Sequence, residues 1–235
     1  MAGGDRWQSG MGERAHELRR PLGIARAFVE MLLEGKLGTV MDAQRTALLR
    51  VQHKLDEVLH GLEEELMWGR LDADALSPTM CDIDLGQEAG AAVERAKARV
   101  ELAGGMMSLQ RPDARITAVA DRGLLARVLD NLLENAVSYA DGSPRIDLQA
   151  GVAERPFVRV CDEGVGIDPD LRDQIFDRGF RAHPGGSQSG WGLGLHLSRK
   201  AAQAMGGELA VEWTKPGQGS CFRLELRGAD RAEAQ

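Results

Sequence analysis

Residues 11–33, MGERAHELRRPLGIARAFVEMLL, decide how the first part of the chain folds. Their apolar members Met11, Ala15, Leu18, Leu22, Ala25, Val29 and Leu32 recur at alternating steps of four and three, the signature of a heptad seam on a helix. After Gly35-Lys36-Leu37-Gly38-Thr39 a second seam runs through Leu48, Val51, Leu55, Val58 and Leu62, with charged residues between. Two long antiparallel helices over residues 11–71 are therefore expected. A two-helix hairpin cannot bury both seams, because each helix has one neighbour and the far side of the seam stays wet. Pairing two hairpins as a four-helix bundle buries them, so a homodimer through residues 11–71 is expected. The competing arrangement packs the hairpin against the second half of its own chain.

Beyond Ser77-Pro78 the period changes, placing a domain boundary between Arg70 and Cys81. Short alternating or apolar runs at 80–85, 106–111, 115–120, 144–152, 157–161, 208–213 and 220–226 read as strands. Helical patterns occupy 86–102, 122–139 and 193–205. Strands interleaved with helices predict a mixed sheet covered by helices on one face, an α/β sandwich. The fold class is thus α+β, a helical hairpin followed by that sandwich.

With 36 acidic against 29 basic side chains the net charge is -7, and 4% of residues are aromatic. Neither a basic field nor a stacking surface for nucleic acid is present. No apolar run is long enough to cross a bilayer and the first fifteen residues lack a signal-peptide core, so no membrane insertion and a cytoplasmic location are expected. Cys81, Cys161 and Cys221 are odd in number and widely spaced, which suggests reduced thiols or small core residues rather than a disulfide or zinc framework.

Chemistry enters with His16, one position after the seam residue Ala15 and hence expected beside the bundle core with access to solvent. A neutral imidazole is a competent nucleophile near pH 7, and Glu17 is placed to accept the ring proton or fix its tautomer. Pro21 collides with the carbonyl of Glu17 and should bend the helix there. An isolated helical histidine commonly does nothing. His53, His60, His183 and His196 lack the flanking acidic, basic and proline residues and read as surface or packing residues.

On the helix of 122–139, Asn131 and Asn135 stand four apart, away from the apolar face of Leu125, Val128, Leu129, Leu132, Leu133 and Ala136. An amide oxygen suits a magnesium ion that already holds phosphates and waters, although two helical asparagines alone more often mark a solvated face. Asp162-Glu163-Gly164-Val165-Gly166-Ile167 follows a strand, where a carboxylate can accept the exocyclic amine of adenine and the glycines admit close backbone approach. Taken alone it is equally a tight turn. Gly190-Trp191-Gly192-Leu193-Gly194-Leu195 opens the last helix with uncovered amides suited to phosphate. Before it, residues 177–190 have the glycine and proline content of a mobile lid.

Together these elements resemble the bacterial sensor histidine kinases of two-component systems across roughly residues 11–228. HELRRPL (16–22) resembles the phosphoacceptor box, NLLENA (131–136) the asparagine box, and DEGVGI (162–167) and GWGLGL (190–195) the two glycine boxes. IFDRGFR (175–181) is similar to the phenylalanine box and GQGSCF (217–222) to the closing strand motif. The resemblance implies a tail of residues 1–10, a dimerisation and phosphotransfer hairpin at 11–75, a gyrase-type ATP-binding domain at 80–228 and a tail at 229–235. It implies ATP and Mg2+ as cofactors, Asn135 as the metal ligand, Asp162 on adenine with Gly164 and Gly166, and Tyr139 near the base. It brings Arg178 or Arg181 toward the phosphates and makes Gly190, Gly192, Leu193 and Gly194 their cradle. Autophosphorylation of His16 and transfer to an aspartate on a response regulator receiver domain are the implied reactions.

Departures from the family pattern matter. Hydrolytic relatives carry a glutamate where this chain has Asn131, a poor base, which favours transfer to protein over hydrolysis. Arg20 stands where many members have threonine or asparagine, implying little phosphatase activity, and Ser138 stands where a lysine is frequent, implying fewer phosphate contacts. Two other readings share the motifs: a nucleotide-binding dimeric scaffold without catalysis, and an ATPase or serine kinase of the same ATP-binding superfamily.

Overall fold

The computed structural model describes residues 5–72, 77–180 and 192–229; the side chains of residues 5–17, 53, 57, 60 and 62–72 lie outside the described set. The described residues up to 72 form one unit and those from 77 onward another.

In the first unit the heptad seams become α1 (Asp5–Leu33) and α2 (Asp42–Asp72), with α1 unbroken through Pro21. The turn between them passes through Gly35 and Gly38 at φ +74° and +117°, where a side chain would strain the backbone. Arg45 donates to the Leu33 carbonyl at 2.9 Å and Arg26 pairs with Asp56 at 2.6 Å, joining the helices at two levels. Burial along the seams is incomplete. Val29 is buried and Leu22, Ala25, Leu32, Leu48 and Leu55 half-buried, while Leu18 is 52% and Val51 47% exposed.

The second unit contains β1 (Cys81–Asp84), α3 (Leu85–Leu102), β2 (Met106–Gln110), β3 (Thr117–Ala120) and α4 (Arg122–Ser138). β4 (Arg145–Val152), β5 (Pro156–Asp162), α5 (Gly194–Ala204), β6 (Glu208–Lys215), β7 (Gly219–Glu225) and the short β8 (Arg227–Gly228) complete it. Among the described residues the strands make two sheets: a five-stranded sheet in the order β2-β4-β5-β7-β6 and a three-stranded sheet β1-β3-β8. In the larger sheet β2 and β4 run parallel and all other neighbours antiparallel.

Aspartates start two of the helices. Asp84 accepts from Gly86 N and Gln87 N at the head of α3, and Asp121 accepts from Leu124 N at the head of α4. Backbone donors, that of Leu124 foremost and then those of Thr79 and Gly123, hold the Asp121 carboxyl below its ordinary range. α3 packs on β2 and β4, α4 on β4 and β5, and α5 on β6. Ile146, Leu148, Val158, Val160, Leu209 and Leu224 of the sheet and Leu125, Leu129, Leu132 and Leu133 of α4 belong to the core, each almost fully buried. Each such side chain stabilises the fold by about 1.5–3 kcal/mol relative to exposure. The opposite face is polar: Arg159 and Arg223 lie over the Phe157 ring at 5.1 and 4.1 Å and share Glu212.

The elements correspond to the periodicities within a few residues, with two departures. β8 is too short to show alternation, and with it the small sheet escaped detection. The cysteines differ as well: Cys161 and Cys221 are disulfide-bonded, facing each other on β5 and β7 with Cα atoms 4.0 Å apart, while Cys81 is free. The cause is strand register, which brings together positions 60 residues apart that spacing alone cannot pair. A thiol reagent added to unfolded, unreduced protein is expected to label only Cys81; labelling of all three cysteines would show the pair to be reduced.

Candidate functional site

β5 delivers Asp162 to the edge of a loop that the surrounding backbone holds closely. The carboxylate accepts from Gly164 N at 2.8 Å, Val165 N donates to the Tyr139 carbonyl at 3.0 Å, and Gly217 N donates to the Val165 carbonyl at 2.7 Å. A Cβ on Gly164 would lie 2.4 Å from the Tyr139 oxygen, and one on Gly166, at φ +69°, would lie 2.1 Å from the Lys215 oxygen. Both glycines are thus required for the loop to sit against the end of α4 and the end of β6. The sequence suggested backbone approach to a ligand; here the close approach is to the protein itself.

Burial pushes the Asp162 carboxyl above its ordinary range, opposed by N–H donors from Gly164 and Ser220. A half-buried carboxylate on a strand end, with part of its acceptor capacity committed, is matched to a neutral amine donor rather than to a cation.

Three further residues support this loop: Gly219 and Ser220 fall within GQGSCF but were given no role there, and Thr214 gave no signal in the sequence. Thr214 Oγ1 accepts from Ile167 N at 2.8 Å and lies within hydrogen-bonding reach of Gly219 O and Ser220 Oγ. Ser220 is buried opposite Asp162 on β7, and a Cβ on Gly219 would lie 1.8 Å from the Asp162 carbonyl. A threonine or serine in a strand is ordinary, so only the register reveals their role.

On α4, Asn131, Asn135 and Tyr139 follow one another at four-residue steps and are all half-buried, rather than lying on a solvated face. Asn131 Nδ2 donates to Ser198 Oγ of α5 at 2.9 Å. Asn135 Nδ2 is buried with no hydrogen-bond partner among the described residues. An orphaned buried amide is costly unless something outside the chain satisfies it. Its oxygen suits magnesium and its NH2 a phosphate oxygen or a metal-bound water, so this position fits a magnesium–nucleotide pair.

α5 begins at Gly194 with no side-chain cap, leaving its first amides open to an anion. Leu193 is buried and anchors that end. Gly192 has φ +69°, and its Cβ position lies 2.6 Å from the Phe180 oxygen; its carbonyl accepts from Gly179 N at 3.1 Å. Gly179 and Phe180 are therefore held against Gly192. Phe176 fixes the same region: its carbonyl accepts from His196 Nδ1 at 2.7 Å, Arg199 lies over its ring at 4.4 Å, and Phe222 meets it edge-on.

Of the residues singled out in the sequence, Asn131, Asn135, Tyr139, Asp162, Gly164, Gly166, Gly192, Leu193 and Gly194 all lie in the second unit. Arg178 is exposed just before the segment 181–191. Arg181, Gly190 and most of the expected lid lie outside the described residues, as do the side chains of His16 and Glu17, whose backbone is part of α1. Among the described residues no group of three or more His, Cys, Asp and Glu is arranged to hold a metal. No described helix is long and apolar enough to cross a membrane.

Comparison with known proteins agrees with this geometry. Residues 120–230 match the family model described as histidine kinase-, DNA gyrase B-, and HSP90-like ATPase. The chain is 31% identical over 214 residues to the sensor histidine kinase MtrB of Mycolicibacterium paratuberculosis, covering 90% of this chain and 38% of that protein. It is 30% identical over 220 residues to the sensor-like histidine kinase SenX3 of Mycobacterium tuberculosis, covering 90% of this chain and 52% of that protein. The chain thus spans about half the length of these relatives, or less. Among solved structures, full-length ShkA in complex with AMPPNP superposes with a TM-score of 0.75 at 26% identity, over 94% of this chain and 46% of that one.

Proposed function

We infer the activity from one premise: the chain belongs to the sensor histidine kinases and carries, in residues 120–230, their histidine kinase-, DNA gyrase B-, and HSP90-like ATPase domain. It binds ATP with magnesium, transfers the γ-phosphoryl group to His16, and passes it to an aspartate of a response regulator receiver domain. The observation that carries this reading is the orphaned amide of Asn135, one helical turn before the Tyr139 carbonyl on which the Asp162 loop is fastened. The reading is further supported by the analogue-bound neighbour ShkA.

Asp162 accepts the exocyclic amine of the base, with Gly164 and Gly166 holding the loop and Tyr139 beside it. Asn135 takes the metal, Gly190, Gly192, Leu193 and Gly194 face the phosphates, and Arg178 and Arg181 approach them. Magnesium, when bound, neutralises charge that develops on the phosphates. The neutral imidazole of His16 attacks the γ-phosphorus in line as the bond to the ADP oxygen breaks, and Glu17 receives the ring proton. The Asn131 amide, engaged with Ser198, is no base for water, which supports transfer to protein over hydrolysis. Exposed Leu18, Ile24, Phe28, Val51 and Val58 support pairing of the hairpin with a second copy. Incubation with labelled ATP and magnesium tests the reading: acid-labile label on the chain is expected, and phosphate release without label would refute it.

Asp162→Asn separates base recognition from folding. Loss of a charge-assisted hydrogen bond lowers nucleotide affinity by about ten- to a hundredfold. The folded chain holds this proton to a higher pH than the unfolded chain does, so ionisation of Asp162 at neutral pH opposes folding. The variant should therefore melt no lower than the parent. For the same reason the parent's nucleotide affinity declines on acidification at a higher pH than an ordinary aspartate would give. Calorimetric titration and thermal melting check both; a variant that binds normally and melts lower contradicts the assignment.

A further inference from the structure

We propose that Ser198 is a positioning residue for the metal–phosphate end of the nucleotide site. By accepting from Asn131 it sets the spacing between the turn of α4 that carries Asn135 and the start of α5. The inference rests on the nucleotide site proposed above and adds a residue that none of the motifs contains.

Ser198 is 4% exposed in the contact between α4 and α5, and Asn131 Nδ2 lies 2.9 Å from its Oγ. A buried hydroxyl in a helix is unfavourable without a partner, and Asn131 supplies one. The bond sits one turn from both working groups: Asn135 is four residues after Asn131, and Gly194 four residues before Ser198. Four residues is about 6 Å of rise on either helix. α4 and α5 pack against each other, and buried apolar side chains on them such as Leu132, Leu197 and Ala201 fill space but do not fix register. A directional bond between the two helices does. It also orients the Asn131 amide.

The test compares the affinity of the whole chain for ATP with and without magnesium chloride, and for ADP without magnesium, in the parent, Ser198→Ala, Asn131→Ala and the double variant. Losing one hydrogen bond of this kind in Ser198→Ala should shrink the magnesium-dependent gain in ATP affinity by about three- to tenfold. Magnesium-free ADP affinity, set at the Asp162 end, should stay within about twofold. The double variant should lose no more than Asn131→Ala, because the two side chains act through one bond. Asn131→Ala approaches the same contact from the other helix and serves if Ser198→Ala does not fold. An unchanged magnesium gain, a parallel fall in ADP affinity, or losses that multiply in the double variant would each overturn the role of Ser198. A parent chain that binds no nucleotide overturns the kinase reading itself; a parent that binds normally beside an unaffected Ser198→Ala overturns only this inference.

Discussion

His16→Ala leaves the chain unable to acquire acid-labile label from ATP, while its nucleotide affinity stays within about twofold of the parent's, the spread expected of a substitution outside the nucleotide site. The loss is total because an acid-labile phosphoramidate needs a nucleophilic nitrogen at the γ-phosphate, and the proposed mechanism gives that place to His16 alone. Affinity is spared because His16 belongs to the helical unit, whereas Asn135, Asp162 and the start of α5 belong to the other. His53, His60, His183 and His196 are internal controls present in both proteins. His196 in particular is committed to the Phe176 carbonyl and serves packing. Residual acid-labile label at the parent's level in the variant would move the phosphoacceptor elsewhere.

Asn135→Ala produces the second large effect. Removing the proposed metal ligand withdraws several kcal/mol of charge stabilisation from the transfer, so labelling slows on the order of a hundred- to a thousandfold. Stability should move little or rise, because the variant also deletes a buried amide nitrogen that has no partner in the described protein. This pairing of large functional loss with no structural loss separates a ligand from a packing residue. Labelling kinetics at saturating ATP and a thermal melt suffice. A variant that melts well below the parent and labels in proportion to its folded fraction would make Asn135 structural.

The sequence was most legible where one period persists. Two heptad seams, the wide apolar face of α4 and the alternation of β4 each mark an element whose buried side is set by spacing alone. It was legible again where spacing is local: Asp162 accepts from Gly164 N two residues on, and Asn131, Asn135 and Tyr139 follow the helical repeat. What escaped is what register creates. Cys161 and Cys221, Thr214 beneath the Asp162 loop, and Ser198 opposite Asn131 acquire their roles from partners on other elements. The last pair is separated by 67 residues. The glycines divide between these cases: the need for small residues at Gly164 and Gly166 was readable, but the carbonyls of Tyr139 and Lys215 that impose it were not.

The half-wet seams bear on assembly in the same way. Leu18 and Val51 belong to the heptad pattern yet remain about half exposed in the hairpin, as expected if their partners belong to a second copy. Composition could place them on a seam but could not say that the single hairpin leaves them uncovered.

Mass spectrometry at neutral pH of the chain after incubation with magnesium and ATP bears most directly on the central claim. The account predicts one added phosphoryl group on the tryptic peptide of residues 15–19, AHELR, lost on mild acid treatment. Phosphate on serine or threonine, or ATP consumed with that peptide unmodified, would contradict it.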